Sequence, residues 1–167
     1  MGYLVSDSRF YVFDSQDSQI RSANYVQVGE TPYRQVYKGE DYLCFNLSAS
    51  NLTVHTLVAY SSITKTISQF IGENLPLFRE LEHGFIFGRT AGAPYLCGGF
   101  SSYTGTFVTK TSDVIINDVL YQYDLDRVSP RLCYLFTSRS EVVNNIATFY
   151  LWVYNTLVGQ FDEFSYQ

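Results

Sequence analysis

Few residues in this chain have the type and spacing that chemistry needs. Only two histidines occur, His55 and His83. His55 falls in the middle of an alternating apolar run. His83 closes a segment that reads as helical, where the helix dipole would favour an imidazolium. Neither shares metal-ligand spacing with the other, nor with Cys44, Cys97 and Cys133. The three cysteines are widely spaced and form no Cys-x-x-Cys pair, so they read as buried small residues in a reducing compartment. Both histidines read as structural.

Other constellations fail on inspection. The glycine-rich stretch Gly84–Gly99 invites a phosphate-loop reading, but Gly88-Arg89-Thr90 lacks the lysine and the strand–loop–helix order of a P-loop. Arg89 beside backbone amides could hold an anion. A tight strand crossing explains the glycines as well. Gly99-Phe100-Ser101-Ser102-Tyr103 lacks the second glycine of a nucleophile elbow. The acidic pairs Glu80/Glu82 and Asp124/Asp126 are two residues apart, a spacing that does not face on a helix, and Asp124 begins no calcium loop. Asn46-Leu-Ser and Asn51-Leu-Thr match the glycosylation pattern at about the frequency that chance gives in a chain this rich in Ser and Thr.

The residues that do suggest a function are aromatic. Over Ile146–Tyr154, period two puts Ala147, Phe149, Leu151 and Val153 on one face and Thr148, Tyr150, Trp152 and Tyr154 on the other. The first face is apolar. The second is aromatic with polar tips, which suits contact with a partner. Tyr150, Trp152 and Tyr154, with Phe164 and Tyr166 in the acidic aromatic tail, are the candidate interface residues.

The elements that carry these residues read mainly as strands. Thr, Phe, Tyr, Trp and Val fit a pleated surface better than a helix. The competing reading is a C-terminal helix at 141–158, capped by Ser140, with Val142, Ile146, Phe149, Tyr150, Val153 and Leu157 on one stripe. Leu43–Leu47 and Leu52–Val58 alternate around Ser48–Asn51 as a hairpin, and Asn117-Asp118 reads as a two-residue turn. At 62–83 the pattern changes: Ile63, Ile67, Phe70 and Ile71 take helical spacing, Gly72 can end that helix, and Asn74 and Pro76 can begin a second. No internal repeat, linker or domain boundary is visible. The expectation is one β-rich domain over 1–167, a β-sandwich or partly closed barrel of about nine to eleven strands with a helical insertion at 62–83. The alternative is α+β with a helix at 141–158.

Composition narrows function. Sixteen acidic against eleven basic residues, with no basic run, argue against nucleic-acid binding. No window reaches the ~18 apolar residues of a membrane helix, and the start shows no signal peptide. Met-Gly-x-x-x-Ser matches a loose myristoylation pattern through Gly2 and Ser6, without a second membrane signal. Charged residues make up 16% and aromatics 17%, and a lone monomer usually keeps more charge on its surface. Abundant Tyr belongs to interfaces. Both chain ends carry apolar or aromatic residues and are expected to be held, by neighbouring copies or in the chain's own sheets.

These features point to a non-enzymatic structural subunit that packs against copies of itself or other subunits. Its most concrete form is a virion component, such as a phage tail, connector or decoration protein, found in the virion or in cytoplasm before assembly. The alternative is a β-sandwich binding module that recognises glycan or protein through aromatic residues. A hydrolase or transferase would need His55 or His83 beside a carboxylate and a Ser or Cys in a pocket. No cofactor, metal or membrane partner is expected.

Overall fold

The computed structural model describes residues 1–5, 9–25, 33–48, 54–73, 75, 77–89, 95–112, 116–123 and 134–167. Among these residues fifteen strands form four antiparallel sheets, each a meander in chain order. Sheet A holds β1 (Gly2–Val5), β2 (Arg9–Asp14) and β3 (Gln19–Asn24). Sheet B holds β4 (Tyr33–Lys38), β5 (Tyr42–Ser48), β6 (Val54–Ser61) and β7 (Thr66–Glu73). Sheet C holds β8 (Leu77–Leu81), β9 (Gly84–Arg89), β10 (Tyr95–Ser101) and β11 (Thr106–Ser112). Sheet D holds β12 (Ile116–Tyr123), β13 (Tyr134–Val143), β14 (Ile146–Asn155) and β15 (Gln160–Tyr166).

The sheets pack face to face in series, and strand alternation decides which neighbour each side chain meets. On β5 and β6, Leu43, Phe45, Leu47, Val58 and Tyr60 join Phe10 and Val12 of sheet A. The intervening residues Tyr42, Cys44, Leu57 and Ala59 turn the other way and join Phe85, Phe87 and Phe100 of sheet C. Ile86 and Cys97 leave the opposite face of sheet C to meet Trp152 and Tyr154 of sheet D. Sheets B and C thus bury apolar residues on both faces. Each large apolar side chain fully buried there contributes roughly 1.5–3 kcal/mol. Consecutive four-stranded meanders stacked this way have the form of propeller blades.

The β-rich expectation holds in its coarse form, with four sheets in series in place of one sandwich or barrel, and with fifteen strands among the described residues where about nine to eleven were expected. The helical insertion at 62–83 is overturned. Its described residues include a four-residue turn, β7, β8 and the turn that follows, while Asn74 and Pro76 lie outside the described residues. The cause is visible in β7: Ile67 packs towards sheet A and Phe70 towards sheet C. Apolar residues on both faces of one strand imitate helical spacing. The alternative helix at 141–158 is likewise overturned: the segment spans the end of β13, a two-residue turn, β14 and part of the last turn, and β14 keeps continuous register with β13 and β15. Asn117-Asp118 lies inside β12, where the register shifts between Ile116 and Asp118, and is not a hairpin turn.

Candidate functional site

The hairpins β2–β3, β6–β7, β10–β11 and β14–β15 are built from one eight-residue pattern. It runs Phe13–Ile20, Tyr60–Ile67, Phe100–Phe107 and Tyr154–Phe161. Position 1 is aromatic in all four. Position 2 is Asp14, Ser61, Ser101 or Asn155, and its side chain accepts from a backbone N–H two residues on. The four bonds are Gln16 N to Asp14 Oδ1 at 3.0 Å, Ile63 N to Ser61 Oγ at 3.2 Å, Tyr103 N to Ser101 Oγ at 3.1 Å and Leu157 N to Asn155 Oδ1 at 3.1 Å. Position 6 takes left-handed φ in every copy: 57° at Ser18, 62° at Lys65, 68° at Gly105 and 63° at Gly159. Position 8 is Ile20, Ile67, Phe107 or Phe161, always large and apolar. The sequence therefore does contain an internal repeat. It escapes notice because its copies are unevenly spaced and most of its positions vary.

The same turns lock each sheet to the next. Ser61 Oγ donates to the Ser102 carbonyl, and Ser101 Oγ donates to the Thr156 carbonyl. In both cases position 2 of one sheet bonds position 3 of the following sheet. A Cβ added at Gly105 would collide with Thr64, and one at Gly159 with Thr104. Position 5 of one turn thus lies against position 6 of the next. Between sheets A and B the lock is ionic: Lys65 Nζ lies 2.8 Å from Asp14 Oδ2, and Tyr60 OH donates to the same oxygen at 2.6 Å. Burial pushes the Asp14 pKa up, but hydrogen bonds from Lys65, Tyr60 and the Gln16 N–H outweigh it and hold the carboxyl at about 2.

Position 1 and position 8 both face the preceding sheet. Tyr60, Phe100 and Tyr154 are fully buried in the successive cores. Ile67, Phe107 and Phe161 pack against those same cores. Sheet A is the exception. Phe13 is 41% exposed and Ile20 is 71% exposed, and with Tyr11 they line an apolar depression on its outer face.

The polar groups singled out from sequence are spread through this stack. His55 is buried, its Nδ1 2.9 Å from Asn46 Oδ1. His83 lies in the β8–β9 turn, with Nδ1 2.6 Å from Asp41 Oδ2 in the β4–β5 turn, bridging sheets B and C. Ser102 Oγ donates to the backbone carbonyl of His83, a contact that does not engage the imidazole. Beside them an open cleft of about 640 Å³ is lined by Lys38, Glu40, Glu80 and Glu82 among others, and Glu80 accepts from the Lys38 N–H at 3.0 Å. Cys44 and Cys97 are buried thiols outside any disulfide, and burial pushes the Cys44 thiol well up. The described residues contain no metal-holding cluster. Arg89 lies at the end of β9, while Asp124, Asp126, Cys133 and Asn51 fall outside the described residues.

The candidate interface residues divide. Trp152 and Tyr154 are buried against Leu81, Ile86 and Cys97 of sheet C, so they serve a contact inside the chain and offer no outward aromatic surface. Trp152 Nε1 donates to Glu163 Oε2 at 2.5 Å, and Lys110 Nζ sits 5.2 Å from its ring centroid. Tyr150 is half-buried and Phe164 is 55% exposed. Tyr166 lies in β15, and its side chain is outside the described set. Sequence reasoning missed Leu157 and Val158 in the last turn, and Val142, Val143 and Ile146 around the β13–β14 hairpin, all exposed.

No family model matches the chain, and no curated protein matches it. Among solved structures, the β-propeller domain of the Trilobed protease from Pyrococcus furiosus, described as having an open velcro topology, matches with a TM-score of 0.42 and 15% identity. The match covers 83% of this chain and 44% of that one, so the chain spans less than half of that protein's length. The blade-like architecture stands on this chain's own strand order and packing.

Proposed function

We propose that this chain is a non-enzymatic structural subunit that assembles with copies of itself or with other subunits, as a virion tail, connector or decoration protein would. The observation that carries this reading is the apolar surface left on the two end sheets. Phe13 and Ile20 on sheet A, and Leu157, Val158 and Phe164 on sheet D, are all exposed. Phe13 and Ile20 line one apolar depression, and contiguous exposed apolar side chains mark association surfaces. Glycan recognition through Tyr150, Trp152 and Tyr154 has less support, since two of the three are interior. Light scattering on the purified chain across a concentration range tests the proposal. Masses at multiples of 19.1 kDa are expected. A single 19.1 kDa species at every concentration, with no larger complex on adding candidate partner subunits, would contradict it.

A further inference from the structure

We infer that copies of this chain add head to tail, with the outer face of sheet A receiving the last turn and β15 of sheet D from a second copy. This rests on the structural-subunit reading above and specifies its interface. Three sheet junctions within the chain obey one rule: the aromatic at position 1 and the apolar residue at position 8 cover themselves with the preceding sheet. Sheet A carries both residues, Phe13 and Ile20, in the same turn pattern, yet they are exposed. Their counterparts Tyr60, Phe100 and Tyr154 show what covers such a face, which is the far side of another sheet of the same repeat.

Sheet D supplies the matching side through its last turn and β15, since Val153, between Trp152 and Tyr154, is already buried within the chain. Its turn presents Asn155 at position 2. Asn155 Oδ1 already caps the turn by accepting from Leu157 N, and its amide N–H₂ provides a donor. Ser61 and Ser101 use their hydroxyls to reach the position 3 carbonyl of the next turn. Continued by one sheet, that bond runs from Asn155 to the Ser15 carbonyl of the second copy, and Ser15 is exposed. Thr64 and Thr104 at position 5 lie against position 6 of the next turn. Val158, 53% exposed, would lie against Ser18 of the second copy in the same manner. The contact joins two different surfaces, so repetition builds a ring where the rotation closes and a filament where it does not.

The test uses two variants of the full chain. Phe13→Glu/Ile20→Glu blunts sheet A, and Val158→Glu/Phe164→Glu blunts sheet D; all four positions are exposed, and folding is checked by circular dichroism. In sedimentation velocity each variant alone is expected at 19.1 kDa, and an equimolar mixture at twice that mass, because each variant keeps one intact face. Should a glutamate pair impair folding, Ile20→Ser and Val158→Ser replace the pairs, each expected to weaken association by about tenfold. Assembly of the wild type that neither set of variants disturbs, or loss of assembly with one set only, overturns the head-to-tail contact and leaves the structural-subunit reading standing. A wild type that never associates, with itself or other subunits, overturns both.

Discussion

Tyr154 and Phe13 occupy the same first position of the repeated turn, yet Tyr154 is fully buried while Phe13 is 41% exposed. The difference comes from place in the series, because sheet C covers Tyr154 through Leu81, Ile86 and Cys97. Truncation should therefore separate them. Tyr154→Ala is expected to cost the isolated chain about 3–5 kcal/mol, and Phe13→Ala under about 1 kcal/mol. Urea titration of the dilute protein reads both. Equal losses would mean that sheet A is already covered within the chain.

Gly99 owes its identity to the same ring. A Cβ placed on Gly99 would stand 2.7 Å from Cε2 and Cζ of Tyr154, and the backbone there does not need left-handed φ. Gly99→Ala should cost about 1–3 kcal/mol through overpacking. The penalty should shrink in a Tyr154→Leu background, because the two sites touch. A double-mutant cycle by chemical denaturation measures this, and strict additivity would refute the close approach.

Ser101 serves two partners, accepting from the Tyr103 N–H at 3.1 Å and donating to the Thr156 carbonyl of sheet D. Ser101→Ala should lower stability by about 1–2 kcal/mol. Ser61→Ala should do the same at the B–C junction, where Ser61 caps its turn and bonds Ser102. Hydrogen exchange at the Tyr103 amide should quicken in the first variant. Unchanged protection there would show that the cap contributes nothing.

Asp14 gives the stack an acid limit. Its folded pKa of about 2 lies below the ordinary 3.8. The stability it contributes is therefore fully present above pH 3.8 and is lost as the pH falls through about 2. Asp14→Asn should be less stable than wild type near neutrality. It should also flatten the loss between pH 3.8 and about 2. Thermal unfolding of the two proteins across that window checks the slope, and parallel curves would exclude the Asp14–Lys65 lock as its source.

The sequence shows parts of this arrangement readily and hides others for physical reasons. The β14 strand is legible because Thr148, Phe149, Trp152 and Val153 suit a pleat. The β5 strand is legible because Leu43, Phe45 and Leu47 alternate with Cys44 and Asn46. β7 is misleading, since a strand covered on both faces by neighbouring sheets loses its period of two. Trp152 and Tyr154 have partner-facing chemistry, and the partner is sheet C of the same chain. The repeated turn is the least visible feature. Asp, Ser and Asn fill its capping position interchangeably because each offers an oxygen to the turn, and Ser18, Lys65 and two glycines share one backbone shape. Conserved geometry is carried there by dissimilar letters.

The head-to-tail contact is tested most directly by a cross-link between Ser18 and Val158. These positions become neighbours only if one copy's last turn lies on the next copy's first. A Ser18→Cys/Val158→Cys chain should, on mild oxidation, give a ladder at multiples of 19.1 kDa that collapses with reductant. Neither single variant should form that ladder. A double variant that oxidises only within one 19.1 kDa chain, or single variants that cross-link as readily, would contradict the contact.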